Sequence, residues 1–321
     1  MTSPLAPAAP LFRDPVHDGA ADPTLIRDRE SGDWWMFYTA RRANLATEGF
    51  GWVHGTDIGI ATSADGGRTW TYRGIAQGLA HEPGRNTYWA PEVLWHDGSY
   101  HMYVSYVPGV PTDWDADRHI LHHTSRDLVS WRFESVLKLS GNRVIDACVW
   151  PLPDGSWRMW HKDEADGNRI HAADSPNLFD WRPIGRALDD QAQEGPNVFW
   201  HQGSYWMVTD FWSGLPVYRS DDLTHWARQD QPLLAGKGLR PGDDGDGHHA
   251  FALSQGEDDA YLFYFTHSAD GQRSCVQVAP LAVREGRLRC DRDAAFDLRL
   301  RADRTPALRG GDLPSWGHPR R

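Results

Sequence analysis

The chain has 321 residues, 40% hydrophobic and 24% charged, with a net charge of −11. The length is ample for a core and the composition is that of a soluble globular protein; no run of about 18 apolar residues occurs, which excludes a transmembrane helix. The acidic balance argues against non-specific binding to nucleic acid or anionic membranes. Three cysteines without CxxC spacing (Cys148, Cys275, Cys290) imply neither a disulfide framework nor a zinc ribbon. The start, MTSPLAPAAPLFRDP, lacks the basic and apolar regions of a signal peptide, so a cytoplasmic location is expected. Only Lys138, Lys162 and Lys237 are lysines against a background of arginine, which reads as genome bias without functional content. The strongest anomaly is 17 Trp, which suits sheet packing and also suits sugar binding, because indole faces stack on the apolar faces of sugar rings.

From about residue 11 onward one unit recurs. The first copy reads ADPTLI (21–26), SGDWWMFYTA (31–40) and SADGGRTW (63–70). The second reads WAPEVL (89–94), DGSYHMYVSY (97–106) and SRDLVSW (125–131). The third reads IDACVW (145–150), DGSWRMWHKD (154–163) and SPNLFDW (175–181). The fourth reads EGPNVF (194–199), QGSYWMVTDF (202–211) and SDDLTHW (220–226). The fifth has HHAFAL (248–253) and EDDAYLFYFT (257–266).

In each copy a short apolar strand leads through a polar turn into an aromatic-rich strand. In the first four, a Ser-x-Asx turn and a Trp then open another strand. Asx side chains bond their own backbone in tight turns, so these acids and Trp residues are expected to hold hairpins. The Trp-to-Trp spacing of about 45–60 residues is that of four-stranded propeller blades. The expected fold is all-β, a five-bladed β-propeller over residues 11–303, with tails at 1–10 and 304–321.

The innermost strand of a blade lines the central channel, so the entrances of the five apolar strands converge. Aligning them places Asp22, Ala90, Asp146, Gly195 and His248 in one column, with Glu194 one residue earlier beside Trp89. Clustered carboxylates repel one another and cost stability unless paired, metal-bound or used. Turn capping explains Asp22 or Asp146 alone, but not three acids at one place in three blades.

These motifs resemble glycoside hydrolase family 43, five-bladed propeller enzymes acting on arabinosides, xylosides and galactosides. The matches are ADP with Asp22, WAP followed by Glu92, Asp146 before VWPLPDG, EGP with Glu194, and Gly247-His248. Ala147 departs from the Pro that usually follows the third-blade Asp. The stretches YTARR (38–42) and DIGIATS (57–63) also resemble the related family 117 neoagarobiose hydrolases.

The resemblance implies inverting hydrolysis with Asp22 as general base, Glu194 as general acid, and Asp146 orienting Glu194 and raising its pKa. It places Trp89 as a stacking wall, with core packing as the alternative. One of Arg41 and Arg42 would reach a sugar hydroxyl, or both would be surface arginines. Glu92 joins the substrate-binding group, as does His249, which takes the fifth-blade place if the register slips by one. No cofactor is required, but His248 would hold a central calcium through water, as in family relatives, or hydrogen-bond Asp22 as a neutral ring.

Long loops at 41–57, 81–88, 107–118 and 235–247 favour an exo-acting enzyme on short oligosaccharides. The competing readings are a non-catalytic carbohydrate-binding propeller and a family 117-like anhydrogalactosidase. A sialidase would need six blades and an arginine triad. A retaining fructosidase would need a WMNDPNG-like setting for the first Asp, which ADPTLI lacks.

Overall fold

The computed structural model describes residues 7–301, so the tail expected at 304–321 and most of that at 1–10 lie outside the described residues. Twenty strands and no helix make up the described chain. They form five antiparallel four-stranded meanders. Blade one is β1 (Ala20–Arg27), β2 (Trp34–Ala40), β3 (Asp57–Ser63) and β4 (Thr71–Ile75). Blade two is β5 (Thr87–His96), β6 (Ser99–Val107), β7 (His119–Ser125) and β8 (Trp131–Val136). Blade three is β9 (Val144–Pro151), β10 (Trp157–Asp163), β11 (Arg169–Ser175) and β12 (Arg182–Arg186). Blade four is β13 (Glu194–His201), β14 (Ser204–Asp210), β15 (Val217–Ser220) and β16 (Ala227–Arg228). Blade five is β17 (His248–Gln255), β18 (Asp259–His267), β19 (Ser274–Arg284) and β20 (Arg287–Cys290). This is the five-bladed β-propeller expected from the repeats.

The inner strands β1, β5, β9, β13 and β17 pack against one another around the ring. Each junction between blades owns a hydrophobic cluster. Phe37 and Ile60 of blade one meet Met102 and Leu121 of blade two, and Trp160 and Ile170 of blade three meet Val198 and Met207 of blade four. The ring closes between blades five and one. Phe12 and Val276 exchange backbone hydrogen bonds at 3.2 and 3.0 Å, and Leu298 and Leu300 return to pack on the first blade's cluster.

The Ser-x-Asx segments are the outer hairpins β3–β4, β7–β8, β11–β12 and β15–β16. Each Ser Oγ meets the Asx two residues on, at 2.8 Å for Ser63–Asp65 and 3.1 Å for Ser220–Asp222. Asp127 Oδ1 accepts the N–H groups of Val129 and Ser130, the turn chemistry read from the sequence.

Trp160 is fully buried in the cluster between blades three and four, edge-on to Trp226 at 6.0 Å. Truncating it leaves a cavity that two sheets would have to collapse to fill. Trp160→Ala is expected to cost about 3–5 kcal/mol, read from the chemical-denaturation midpoint at constant slope; a cost below about 1 kcal/mol would contradict this packing.

Candidate active site

Every inner strand carries a bulge in which two residues face one on the second strand. The pairs are Asp22-Pro23, Ala90-Pro91, Asp146-Ala147, Gly195-Pro196 and His249-Ala250. The first residue of each pair has positive φ: 50°, 45°, 62°, 55° and 32° in chain order. Four of the five are not glycine, and left-handed backbone costs such residues about 1–2 kcal/mol each. The aligned column is therefore a row of left-handed bulges. In blade five it holds His249, not His248. The sequence alignment was one residue out there because HHAFAL offers no proline or acid to fix the register.

The bulge N–H groups reach back to the preceding blade. Ala90 N–H donates to Thr39 Oγ1 at 2.8 Å, Asp146 N–H to Ser105 Oγ at 2.9 Å, and His249 N–H to Asp210 Oδ2 at 3.1 Å. Thr39, Ser105 and Asp210 hold equivalent places on second strands, opposite Ala21, Trp89 and Glu194. In blade three that place belongs to Lys162, opposite Ile145, which has no acceptor to offer. Gly195 N–H turns instead to Asp146 Oδ2 at 3.2 Å. The Lys162 ammonium is thereby free to donate to Glu194 Oε2 at 2.8 Å. It also meets Glu164 at 3.2 Å, which Arg118 pairs at 2.8 Å.

Glu194 is held at its other oxygen too: Trp212 Nε1 donates to Oε1 at 2.8 Å. Trp212 sits between β14 and β15 with φ 57° and is 44% exposed, a strained conformation for a bulky side chain. On the far side of the cluster, His249 Nδ1 lies 3.6 Å from Asp22 Oδ1, and Arg41 Nη2 lies 3.5 Å from the same oxygen. The Arg41 guanidinium rests on the Phe265 ring at 4.6 Å.

Burial acts to raise the Glu194 carboxyl, but Lys162 foremost, then His249 and the Trp212 N–H, carry it below the usual carboxylate range. Asp146 moves the other way. Burial, with Glu194 and Asp22 as like charges, pushes it up to about 7 against the pull of His249 and Lys162. Burial would lower His249, yet Asp146, Asp22, Glu194 and Asp210 raise it, so the imidazolium is favoured. The sequence-based expectation was a raised Glu194 beside an ionised Asp146. The site has the reverse order, because Lys162 pairs directly with Glu194 at 2.8 Å while Asp146 is buried beside like charges.

Asp22, Asp146, Glu194, His249 and Arg41 thus come together. The other sequence candidates do not present themselves to a substrate. Trp89 is 7% exposed, spends its indole N–H on Val53 O at 2.6 Å, and packs against His54, which is the core alternative. Glu92 is buried, accepts the Val149 N–H at 3.0 Å, and is pushed up to about 7 by burial. Arg42 pins its own loop through Gly51 O at 2.6 Å and His54 O at 2.8 Å. The open aromatic surface near Trp89 is instead Trp114 and Phe50, 5.0 Å apart, on the long loops at 107–118 and 41–57. Phe50 N–H donates to Thr112 O at 2.8 Å and ties those loops together.

Sequence reasoning missed Lys162 and Trp212. A lone lysine inside an aromatic strand of an arginine-rich chain was the available signal for the first.

Calcium takes about six to eight oxygen ligands. Among the described residues no group of three or more His, Cys, Asp or Glu is arranged to hold a metal ion, and the axial carboxylates already face Lys162, His249 and Arg41. His248 Nδ1 faces Asp210 at 3.1 Å, with Phe265 and His267 against its ring. This donor set does not fit a directly coordinated calcium.

The fold is thus a five-bladed propeller with acids from blades one, three and four at the mouths of its inner strands. The family model described as a probable glycosyl hydrolase domain, related to family 43, matches residues 11–214, and the chain belongs to that family. A thermostable family 43 glycoside hydrolase superimposes with a TM-score of 0.69 at 18% identity, over 90% of this chain and 99% of that one. A family 43 β-1,3-galactosidase solved with galactodeoxynojirimycin gives 0.67 at 14%, over 90% and 97%. A β-xylosidase/α-arabinofuranosidase from a compost metagenome gives 0.63 at 17%, over 87% and 95%. Among curated proteins, a probable sucrose-6-phosphate hydrolase of Vibrio cholerae is 26% identical over 172 residues, 47% of this chain and only 30% of that protein.

Asp146 supplies a test that needs no substrate. With its carboxyl at about 7 in the folded state against an ordinary value near 4, the native protein holds a proton that the unfolded chain releases. That stability is present below about pH 4 and is lost as pH rises through about 7. Asp146→Asn keeps an oxygen for Gly195 N–H and removes the buried charge. The variant is expected to melt higher than the parent at pH 8, with the gain vanishing near pH 4; a lower melting temperature at pH 8 would contradict this balance.

Proposed function

We propose that the protein is an inverting, exo-acting glycosidase that removes arabinosyl, xylosyl or galactosyl end groups from short oligosaccharides in the cytoplasm. The observation that carries this reading is the convergence of Asp22, Asp146 and Glu194 at the left-handed bulges, with Glu194 the most open of the three. Family membership and the xylosidase, arabinofuranosidase and galactosidase fold neighbours support the same class.

Asp22 takes a proton from water as its oxygen bonds to the anomeric carbon. The glycosidic bond breaks on the opposite face, and the departing oxygen takes the proton of Glu194. Asp146 and Glu194 titrate as a pair that shares one proton near neutral pH. In the resting site Asp146 holds it, and substrate, by excluding water from Glu194, draws it to the acid. Arg41 Nη2 lies 3.5 Å from Asp22 Oδ1, where the guanidinium can also reach a sugar hydroxyl. No step uses a resident metal.

The deciding experiment is turnover of a panel of arabinofuranosides, xylosides and galactosides, with NMR of the first-formed anomer. Asp22→Asn is expected to lower turnover about 10²–10⁴-fold on every substrate. Glu194→Gln should slow disaccharides far more than 4-nitrophenyl glycosides, whose phenolate leaves without a proton. Equal losses on both would remove Glu194 from the acid's role. A product of retained configuration would instead favour the fructosidase-like reading that the curated relative suggests, and no turnover with sugar binding would favour a carbohydrate-binding propeller.

Lys162 sets the pH response. It favours the ionised form of Glu194, and the acid must be protonated to act, so removing the ammonium raises the acid. Lys162→Met is expected to move the basic limb of kcat/KM to higher pH. Movement to lower pH would mean that Lys162 does not act on the proton donor.

A further inference from the structure

Both oxygens of Glu194 are occupied in the resting site, and the two groups that hold them differ in kind. Lys162 is buried and also paired to Glu164. Trp212 is open to solvent over 44% of its surface and stands on the six-residue connection FWSGLP between β14 and β15. Its backbone is fixed: Trp212 N–H donates to Asp210 Oδ1 at 2.6 Å, and Phe211 N–H donates to Gly214 O at 3.1 Å. The same Asp210 accepts the His249 N–H through its other oxygen, so the turn that carries Trp212 is anchored to the axial cluster. No core packing requires an indole in a left-handed conformation with nearly half its surface exposed. What the conformation achieves is an indole N–H on Glu194 and a flat apolar face beside it.

We propose that Trp212 is the leaving-group platform and the positioning residue of the proton donor. A ring with an apolar face, such as the second pyranose of an oligosaccharide or an aryl group, stacks on the indole next to the glycosidic oxygen. The indole N–H holds the Glu194 carboxyl towards that oxygen until the proton is given up. The substrate class is therefore one whose leaving group contains a ring, and simple alkyl glycosides are disfavoured. This rests on the reading of Glu194 as proton donor.

The test compares the parent, Trp212→Phe and Trp212→Ala on three glycosides of whichever sugar the parent cleaves among the xylosyl, arabinofuranosyl and galactosyl series: methyl, 4-nitrophenyl and disaccharide. Melting curves establish that both variants are folded. Trp212→Ala is expected to raise KM about tenfold for the two ring-bearing substrates and to leave the methyl glycoside within about twofold. Trp212→Phe keeps a face but loses the donor. Its KM values should stay near those of the parent, while the basic limb of kcat/KM for the disaccharide moves to higher pH, because a hydrogen bond that favoured the carboxylate is gone. Equal KM losses on methyl and ring-bearing glycosides, or an unmoved pH profile in Trp212→Phe, would overturn the proposal. If the parent cleaves none of the three series, the glycosidase reading itself fails; an active parent without the ring-dependent effect refutes only the role of Trp212.

Discussion

The site depends on one backbone device, the left-handed bulge at the mouth of each inner strand. A regular strand sends successive side chains to opposite faces, here towards the two neighbouring blades. A residue aimed at the ring axis has no place in that alternation. Inserting one extra residue at positive φ breaks the pleat and carries Asp22, Asp146 and His249 in blades one, three and five, while in blade four it falls on Gly195, directly after Glu194. Proline follows the bulge in three blades, where its missing N–H costs no ladder bond. The strain of four non-glycine left-handed residues is accepted at the point where the buried acids gather.

Once the bulges gather acids, charge balance becomes the next constraint. Asp22, Asp146 and Asp210 are buried beside the half-buried Glu194, and such a cluster is unstable unless cations enter it. Lys162, His249 and Arg41 supply them from three different blades. Their placement divides the acids. Lys162 holds Glu194 below the usual carboxylate range, and burial with like-charged neighbours pushes Asp146 up to about 7. From Lys162 the pairing runs outward through Glu164 to Arg118, which also bonds the carbonyl of Trp114. The loop that carries Trp114 is therefore connected to Glu194 by side chains that are themselves mostly buried.

The blades and the acids were legible in the sequence because both follow from local rules. Ser-x-Asx turns bond their own backbone, and apolar strands entered through ADP, IDA or EGP repeat at a fixed place in the unit. What escaped the sequence depends on contacts between blades. His249 replaced His248 because register is set by pairing with Phe263 and Phe265 on β18, which no turn residue announces. Trp89 lies beside the motif acids in sequence, yet its indole N–H finds Val53 of the preceding blade and the ring is buried. Lys162 stood out only as a rare residue type. Its importance comes from sitting where blades one, two and four place a hydrogen-bond acceptor.

The Trp excess separates along the same line. Trp34, Trp131, Trp157, Trp160 and Trp206 are buried in the junctions between blades, and those indoles are structural. The widely exposed ones among the described residues, Trp114 and Trp212, stand on connections between strands. Strands and bulges fix the carboxyl groups, while loops carry the exposed aromatic faces. Loop residues can change without disturbing the ladder that holds the acids. A scaffold shared with family 43 enzymes at 14–18% identity is therefore compatible with a different sugar at each ring. Trp114, Phe50 and Trp212 are exposed aromatic residues on such connections, whereas the acids sit on the strands and their bulges.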